Sequence, residues 1–301
     1  MKVHGIIVPV ATPVDTEERI EERGLRRLVR HLVDSGIHGI LANGTMAAFA
    51  YLDDCEQIRA IEIVLDEVDG RVPVIVNIGE NGSKKAIRRA RQVESLRPDY
   101  LSFLPPFYFK LTQIELQHFF EDIFDTVETA SFIYNNPRNT GNNIELKTIL
   151  ALGELPNVVG IKDSEQNLDK WLRMVRAFRG KDFAVLAGTE CLASAALGAG
   201  CHGVIAGLHN LWPRLAVQLH DAATGGNPAA ADRIQQQLIE LVDIFTNEDL
   251  WGAFEVALQY LNICQKVTLI PFRSIADPAR RAQITRALSS AVNQPTFDAA
   301  K

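Results

Sequence analysis

A closed parallel (β/α)8 barrel of the TIM type, with a helical extension at its C-terminus, is the α/β fold that this 301-residue chain predicts. Three observations predict it. Short apolar segments alternate with amphipathic ones about eight times over roughly the first three-quarters of the chain. The apolar segments are nearly continuous instead of alternating with polar residues, as parallel strands covered on both faces require. The first of them runs into Ala11-Thr12-Pro13 and lacks the G-x-G-x-x-G turn that opens a doubly wound nucleotide-binding sheet. Eight such units in one run fit a closed barrel, which typically takes about 250 residues.

The elements follow in order. Residues 5–10 (GIIVPV) read as the first strand, and residues 19–35 place Leu25, Leu28, Val29 and Leu32 on one helical stripe. Strand 38–42 and helix 53–68 form the second unit, strand 72–78 and helix 83–95 the third, and strand 98–104 and helix 112–127 the fourth. Strand 131–135 precedes helix 144–152, strand 158–162 precedes helix 168–178, and strand 183–187 precedes helix 190–197. Strand 202–206 and helix 212–223 close the barrel, which is assigned residues 1–226. Residues 227–301 form the extension, with helical patterning at 229–245, 250–263 and 278–292. No Gly/Ser-rich or Pro-rich linker separates the parts, so the extension is expected to pack on the barrel.

Composition narrows the function. The chain is 47% hydrophobic and 23% charged, with a formal charge of -6 and acidic and basic residues interleaved. It has no basic stripe to neutralise phosphates, so nucleic acid is not an expected partner, and neither is a membrane. The basic run from Lys84 to Arg91 reads as a solvated helix face. The N-terminus enters a strand without a leader pattern, which makes the cytoplasm the expected location. Cys55, Cys191, Cys201 and Cys264 are scattered and are expected to be reduced and mostly packed. The seven histidines show no metal-ligand spacing, so no metal is expected; His202, before the last strand, reads as structural.

Function in such a barrel gathers where the strands end and the βα loops begin. That mouth collects Asn43-Gly44-Thr45, Pro105-Pro106-Phe107-Tyr108, Tyr134-Asn135-Asn136-Pro137, Lys162-Asp163, Gly188-Thr189-Glu190, and Gly207 with Asn210. Lys162 stands out because it ends the apolar run Val158-Val159-Gly160-Ile161. A strand-end lysine ordinarily lays its stem on apolar surface with the ammonium in water. Its alternative is Schiff-base chemistry: a neutral amine attacks a ketone, and the iminium draws electrons from the neighbouring carbon. A lysine of ordinary pKa is only about 0.04% neutral at pH 7, whereas one tuned to about 7.5 is roughly a quarter neutral. Tyr134 ends the neighbouring strand and could shuttle the proton, with Thr45 and Tyr108 relaying it. Taken singly, a strand-end tyrosine usually packs and a turn threonine usually bonds local backbone.

Taken together, Gly44-Thr45, Pro105-Pro106-Phe107-Tyr108, Tyr134-Asn135-Asn136-Pro137 with Thr140-Gly141, and Gly160-Ile161-Lys162-Asp163 resemble, in order and spacing, the dihydrodipicolinate synthase / N-acetylneuraminate lyase family of class I aldolases. The likeness runs from Gly5 to about Gly207. It implies a barrel in which Lys162 forms a Schiff base with pyruvate or another 2-keto acid, with no cofactor beyond that covalent link. It implies Tyr134 as acid/base, and Thr45 and Tyr108 as the hydroxyl relay, Tyr108 being offered across a subunit boundary in a homotetramer. Substrate binding falls on Gly44, Met46, Arg138, Asn139, Glu190 and Ile205.

Two departures bear on the substrate. The family's Gly-Thr-Thr-Gly-Glu turn, whose amides hold the keto-acid carboxylate, reads Gly44-Thr45-Met46-Ala47-Ala48 here. Met46 removes a hydroxyl, and Ala47 is expected to disfavour any positive φ at the glycine position. In the synthases an arginine follows the Tyr-Asn-x-Pro motif at the place held by Asn139, and here an arginine stands one position earlier, as Arg138. Asn139 makes no charge-assisted bidentate pair with a carboxylate. The expectation is therefore an aldolase or dehydratase acting on a 2-keto acid such as a 2-keto-3-deoxy sugar acid, with Glu190, Asn139, Thr189 and Asn210 available for its hydroxyls. Glu190 reads equally as a helix N-terminal charge. Dihydrodipicolinate synthase itself, with a rearranged Arg138, is the alternative enzyme, and a catalytically silent keto-acid-binding barrel the alternative of another class.

Overall fold

The computed structural model describes residues 3–245 and 249–292. Eight parallel strands close on one another in sequence order. They are β1 (Gly5–Pro9), β2 (Gly39–Ala42), β3 (Val74–Ile78), β4 (Tyr100–Phe103), β5 (Ser131–Asn135), β6 (Val158–Asp163), β7 (Ala184–Ala187) and β8 (Gly203–Ile205). Every strand expected from the apolar runs is present; β5 has the expected bounds, β6 runs one residue further to Asp163, and the other six are shorter by one to three residues.

Side chains alternate between the barrel interior and the helix layer. Ile7, Leu41, Ile75, Phe132, Leu186 and Ile205 fill the interior as one buried cluster. The larger outer cluster joins the other strand faces to helices such as Glu22–Val33, which buries Leu25, Leu28, Val29 and Leu32. Helix Gln113–Phe124 begins with a capping box, Thr112 and Glu115 each bonding the other's backbone, which fixes its start. Three strand openings use side chains as ladder acceptors: His38 Nδ1 takes the Ile6 N–H at 3.1 Å, Asp99 the Val74 N–H at 2.8 Å, and His202 Nδ1 the Val185 N–H at 3.1 Å. His202 is thus structural, as expected. His38, His220 and Asp221 bring ligand-type atoms within 4.8 Å of one another at that same end, away from the mouth. The His38 lone pair facing Ile6 is already spent on its hydrogen bond.

The basic helix Ser83–Glu94 is not uniformly solvated: Arg89 is only 8% exposed and pairs with Asp54 and Glu80. A buried guanidinium requires such partners. The four cysteines are free; Cys201 and Cys264 are buried, whereas Cys55 is exposed and Cys191 half-buried.

The extension contributes helices Pro228–Phe245, Leu250–Tyr260 and Pro278–Val292; its residues 293–301 lie outside the described residues. Arg27 Nε donates to the Ile263 carbonyl at 2.7 Å and Val14 N to the Lys266 carbonyl at 2.9 Å, stitching it to the barrel. The buried Glu255 carboxylate accepts from Val267 N, Thr268 N and Thr268 Oγ1 at 3.1, 3.2 and 2.7 Å and fixes the chain beyond the helix. The rings of Tyr51, Phe272 and Trp251 then pack in sequence as tilted pairs at centroid separations of 5.0 and 5.1 Å, and Trp251 lines the cavity at the barrel mouth. Among the described residues, no helix is long and apolar enough to cross a membrane.

Candidate active site

Register places the central pair. Tyr134 on β5 is the ladder partner of Lys162 on β6, so both side chains enter the barrel at the same height. Lys162 is 4% exposed and Tyr134 1%. The ammonium donates to the phenol oxygen at 2.8 Å and lies 4.0 Å from the ring centroid. The same phenol oxygen meets Thr45 Oγ1 at 3.1 Å and receives the Asn136 amide at 3.2 Å, and Asn136 also reaches Thr45 Oγ1 at 3.3 Å. Burial pushes the Tyr134 phenol up, but the Lys162 charge and the hydrogen bonds from Lys162, Thr45 and Asn136 outweigh it and hold the phenol below its ordinary value. The arrangement favours a phenol oxygen ready to accept a proton.

Asn136 stood at the mouth in the sequence without an assigned role, and the fold brings its amide to both hydroxyls. It directly follows the strand, where asparagine ordinarily signals a turn, and its neighbours Pro137–Thr140 do form one helical turn. That turn aims Asn136 at Tyr134 and Thr45, and carries Arg138 and Asn139 to the rim of the same cavity.

The cavity over Lys162 measures about 400 Å3. Its polar lining includes Ser164, Gln166, Glu190, Arg138 and Asn139, while Leu250 and Trp251 of the extension wall it on the outside. Ile205 lies at its floor, with its side chain in the barrel-interior cluster. An adjoining cavity of about 480 Å3 shares Thr45, Asn136, Asn139 and Trp251 and is otherwise largely apolar, with Phe49, Leu104 and Phe107 among its walls.

The turn Thr45–Ala47 is a single 3-10 turn after extended Gly44. The N–H groups of Ala47 and Ala48 bond back to Gly44 and Thr45, so the leading amides of Thr45 and Met46 have no partner inside the turn. Ala47 sits comfortably in it. The left-handed position is Ala48, at φ 50°, one residue later than expected. The Met46 side chain lies over Gly207, where a Cβ would come within 2.6 Å of the Met46 sulfur, so the glycine makes room for the methionine that replaces the family's threonine.

Glu190 is not a helix N-terminal charge. The following helix is Ala193–Gly198, and the Glu190 carboxylate instead accepts the Leu208 N–H at 2.7 Å across the mouth. Burial pushes this carboxyl above the ordinary carboxylate range, against the Leu208 hydrogen bond and the Lys162 charge. Two polar residues expected to meet substrate are committed to backbone. Asn210 is fully buried and bonds Pro9 O, Gly207 O and Ala11 N, and Thr189 Oγ1 accepts the Cys191 N–H. Tyr108 also stands apart: it is 87% exposed at φ 81°, packs edge-on against Phe109, and does not line the cavity of its own chain.

Fold and site together define a barrel protein whose strand-six lysine is buried against a strand-five phenol. The chain belongs to the dihydrodipicolinate synthetase family, whose family model matches residues 2–291. It is 31% identical over 280 residues to a 4-hydroxy-tetrahydrodipicolinate synthase of Methylococcus capsulatus, covering 93% of this chain and 96% of that one. The crystal structure of dihydrodipicolinate synthase from Aquifex aeolicus superposes with a TM-score of 0.89 at 28% identity, over 97% of this chain and 99% of that chain. The Thermotoga maritima enzyme gives 0.91 at 25%, over 97% and 99%.

Proposed function

We propose that this protein is a Schiff-base-forming lyase, an aldolase or dehydratase, that acts on pyruvate or another 2-keto acid through Lys162. The observation that carries this reading is the buried 2.8 Å contact between the Lys162 amine and the Tyr134 phenol at the floor of a cavity. The Lys162 proton passes to the Tyr134 oxygen, and the neutral amine adds to the C2 carbonyl. Tyr134 returns a proton to the resulting hydroxyl, which leaves as water, and the iminium remains. That iminium is the electron sink for making or breaking the bond at the adjacent carbon, so the reading calls for no metal or organic cofactor. Thr45 and Asn136 hold the phenol oxygen in both protonation states, since a hydroxyl donates or accepts and the amide donates. The amides of Thr45 and Met46 are offered to the keto-acid carboxylate.

The polar rim of Ser164, Gln166, Glu190, Arg138 and Asn139 suits a hydroxylated chain beyond the reacting carbon, as in a 2-keto-3-deoxy sugar acid. A protonated Glu190 can donate to a hydroxyl as well as accept from one. The second reading is dihydrodipicolinate synthase itself, favoured by Arg138, which lines the Lys162 cavity despite its displaced position. Tyr108 then acts in the relay of a neighbouring subunit of a homotetramer; a chain that is monomeric by light scattering and fully active contradicts that role.

The test is turnover of a panel of 2-keto-3-deoxy acids beside pyruvate plus aspartate semialdehyde. Efficiency of about 10⁴ M⁻¹s⁻¹ or more on a sugar acid supports the first reading, and the same efficiency on the semialdehyde pair supports the second. Covalent adduct without turnover of any of them identifies a silent binding barrel.

A further inference from the structure

We propose that Asn135, Asp163 and Lys170 form a positioning clamp outside the barrel wall that holds Tyr134 and Lys162 at their reacting separation, a role that rests on the Schiff-base reading. Asn135 and Asp163 are the next ladder pair after Tyr134 and Lys162, so alternation turns their side chains outward, into the helix layer. Both are fully buried there. Asn135 Nδ2 donates to Asp163 Oδ1 at 3.0 Å and to Asn143 Oδ1 at 2.9 Å, and Asn135 Oδ1 accepts the Ile144 N–H at 3.0 Å. Asp163 Oδ1 also accepts the Glu165 N–H at 2.9 Å. One polar network therefore spans the segments that follow β5 and β6.

Lys170 closes it. This lysine of helix Leu168–Ala177 is buried, although a lysine on a helix over a barrel ordinarily reaches water. Its ammonium donates to the Ile144 carbonyl at 2.7 Å and to Glu165 at 2.5 Å, and lies 3.6 Å from Asp163 Oδ2. A single charge thus ties the loop behind Tyr134 to the loop behind Lys162. Backbone bonds continue the lock: Ser164 N donates to Asn135 O at 2.9 Å, and Gly188 N to Asp163 O at 2.8 Å. A buried ion pair contributes little net stability against well-packed apolar residues, and its best-attested use is to specify geometry. The clamp sits where geometry matters most, one residue beyond each reacting side chain.

None of the three residues lines the cavity over Lys162. Their expected signature is therefore a loss in the covalent step with substrate binding retained. With pyruvate as the probe, Lys170→Met should slow borohydride-trapped adduct formation and lower kcat by about 10-fold or more, since a misplacement of about 1 Å costs up to about 100-fold. KM should move by less than about threefold. Lys170→Arg, which keeps the charge and can reach both Glu165 and the Ile144 carbonyl, should recover most of the loss. If Lys170→Met does not fold, Asp163→Asn reads the same split, because it keeps the oxygen used by Asn135 and Glu165 and removes only the charge facing Lys170. A folded variant with a lower melting temperature but an unchanged trapping rate, or an Arg variant as slow as Met, overturns the clamp while leaving the lyase reading intact. Wild-type protein that forms no adduct overturns the lyase reading, and the clamp falls with it.

Discussion

The Lys162 ammonium and the Tyr134 phenol are ladder partners on adjacent strands and meet at 2.8 Å inside the barrel. Both side chains are buried, and burial pushes the Tyr134 phenol up while the Lys162 charge and hydrogen bond help hold it below its ordinary value. Removing the hydroxyl while keeping the ring isolates the proton-transfer role. Tyr134→Phe should lower kcat by about 100-fold to 10,000-fold, with a much smaller change in KM. Steady-state kinetics on whichever 2-keto acid proves best checks it; a loss confined to KM assigns Tyr134 to binding alone.

Asn136 should matter although no acid/base chemistry is open to it. Its amide holds both Tyr134 and Thr45, and each neutral hydrogen bond contributes about 1 kcal/mol. Asn136→Ala should therefore reduce kcat by about 5-fold to 30-fold, and should shift upward the limb of the kcat–pH profile that reports Tyr134, as the phenol loses a donor. An unchanged profile removes Asn136 from the relay.

The barrel and the placing of Lys162 beside Tyr134 were legible in the sequence for a physical reason. Strands buried on both faces must be continuously apolar, so a lysine ending one of them, as Lys162 ends β6, stands out. Side-chain commitments made across the fold were not legible. Asn210 and Thr189 have the composition of a polar site, yet their hydrogen bonds are spent on backbone that only the folded chain brings near. Glu190 carried two readings because its partner, Leu208, is contributed by a different strand's loop. Leu250 and Trp251 reach the mouth from the extension by tertiary packing, which leaves no local signal. Tyr108 matched its motif yet is exposed and lies outside the cavity over Lys162, because a motif fixes a residue's order along the chain and not its place around the site.

Glu190→Gln should separate the two halves of the site. The glutamine still offers an oxygen to the Leu208 N–H but puts a donor-only NH2 where the carboxyl group has a second oxygen to accept from a substrate hydroxyl. Pyruvate trapping at Lys162 should be unaffected, while kcat/KM on a 2-keto-3-deoxy acid should fall by about 10-fold or more. Equal losses on both substrates place Glu190 in the covalent step instead.

Stability should depend on pH through His209, which is fully buried with both ring nitrogens lacking a hydrogen-bond partner. Burial drives it down from 6.5 to about 3. Between those values the unfolded chain binds a proton that the folded chain refuses. Stability is therefore full above about pH 6.5 and falls as the pH drops, by up to about 1.4 kcal/mol per unit. Urea unfolding at pH 7.5 and 5.5 should show His209→Leu losing about 1.4 kcal/mol less than wild type over that interval. Equal losses in the two proteins contradict the assignment.

The most direct test of the central claim is intact and peptide mass spectrometry after borohydride reduction in the presence of pyruvate. The account predicts one reduced pyruvate adduct per chain, located on Lys162 and absent from folded Lys162→Ala. Folded wild-type protein that acquires no adduct at saturating pyruvate, or acquires it on another lysine, contradicts it.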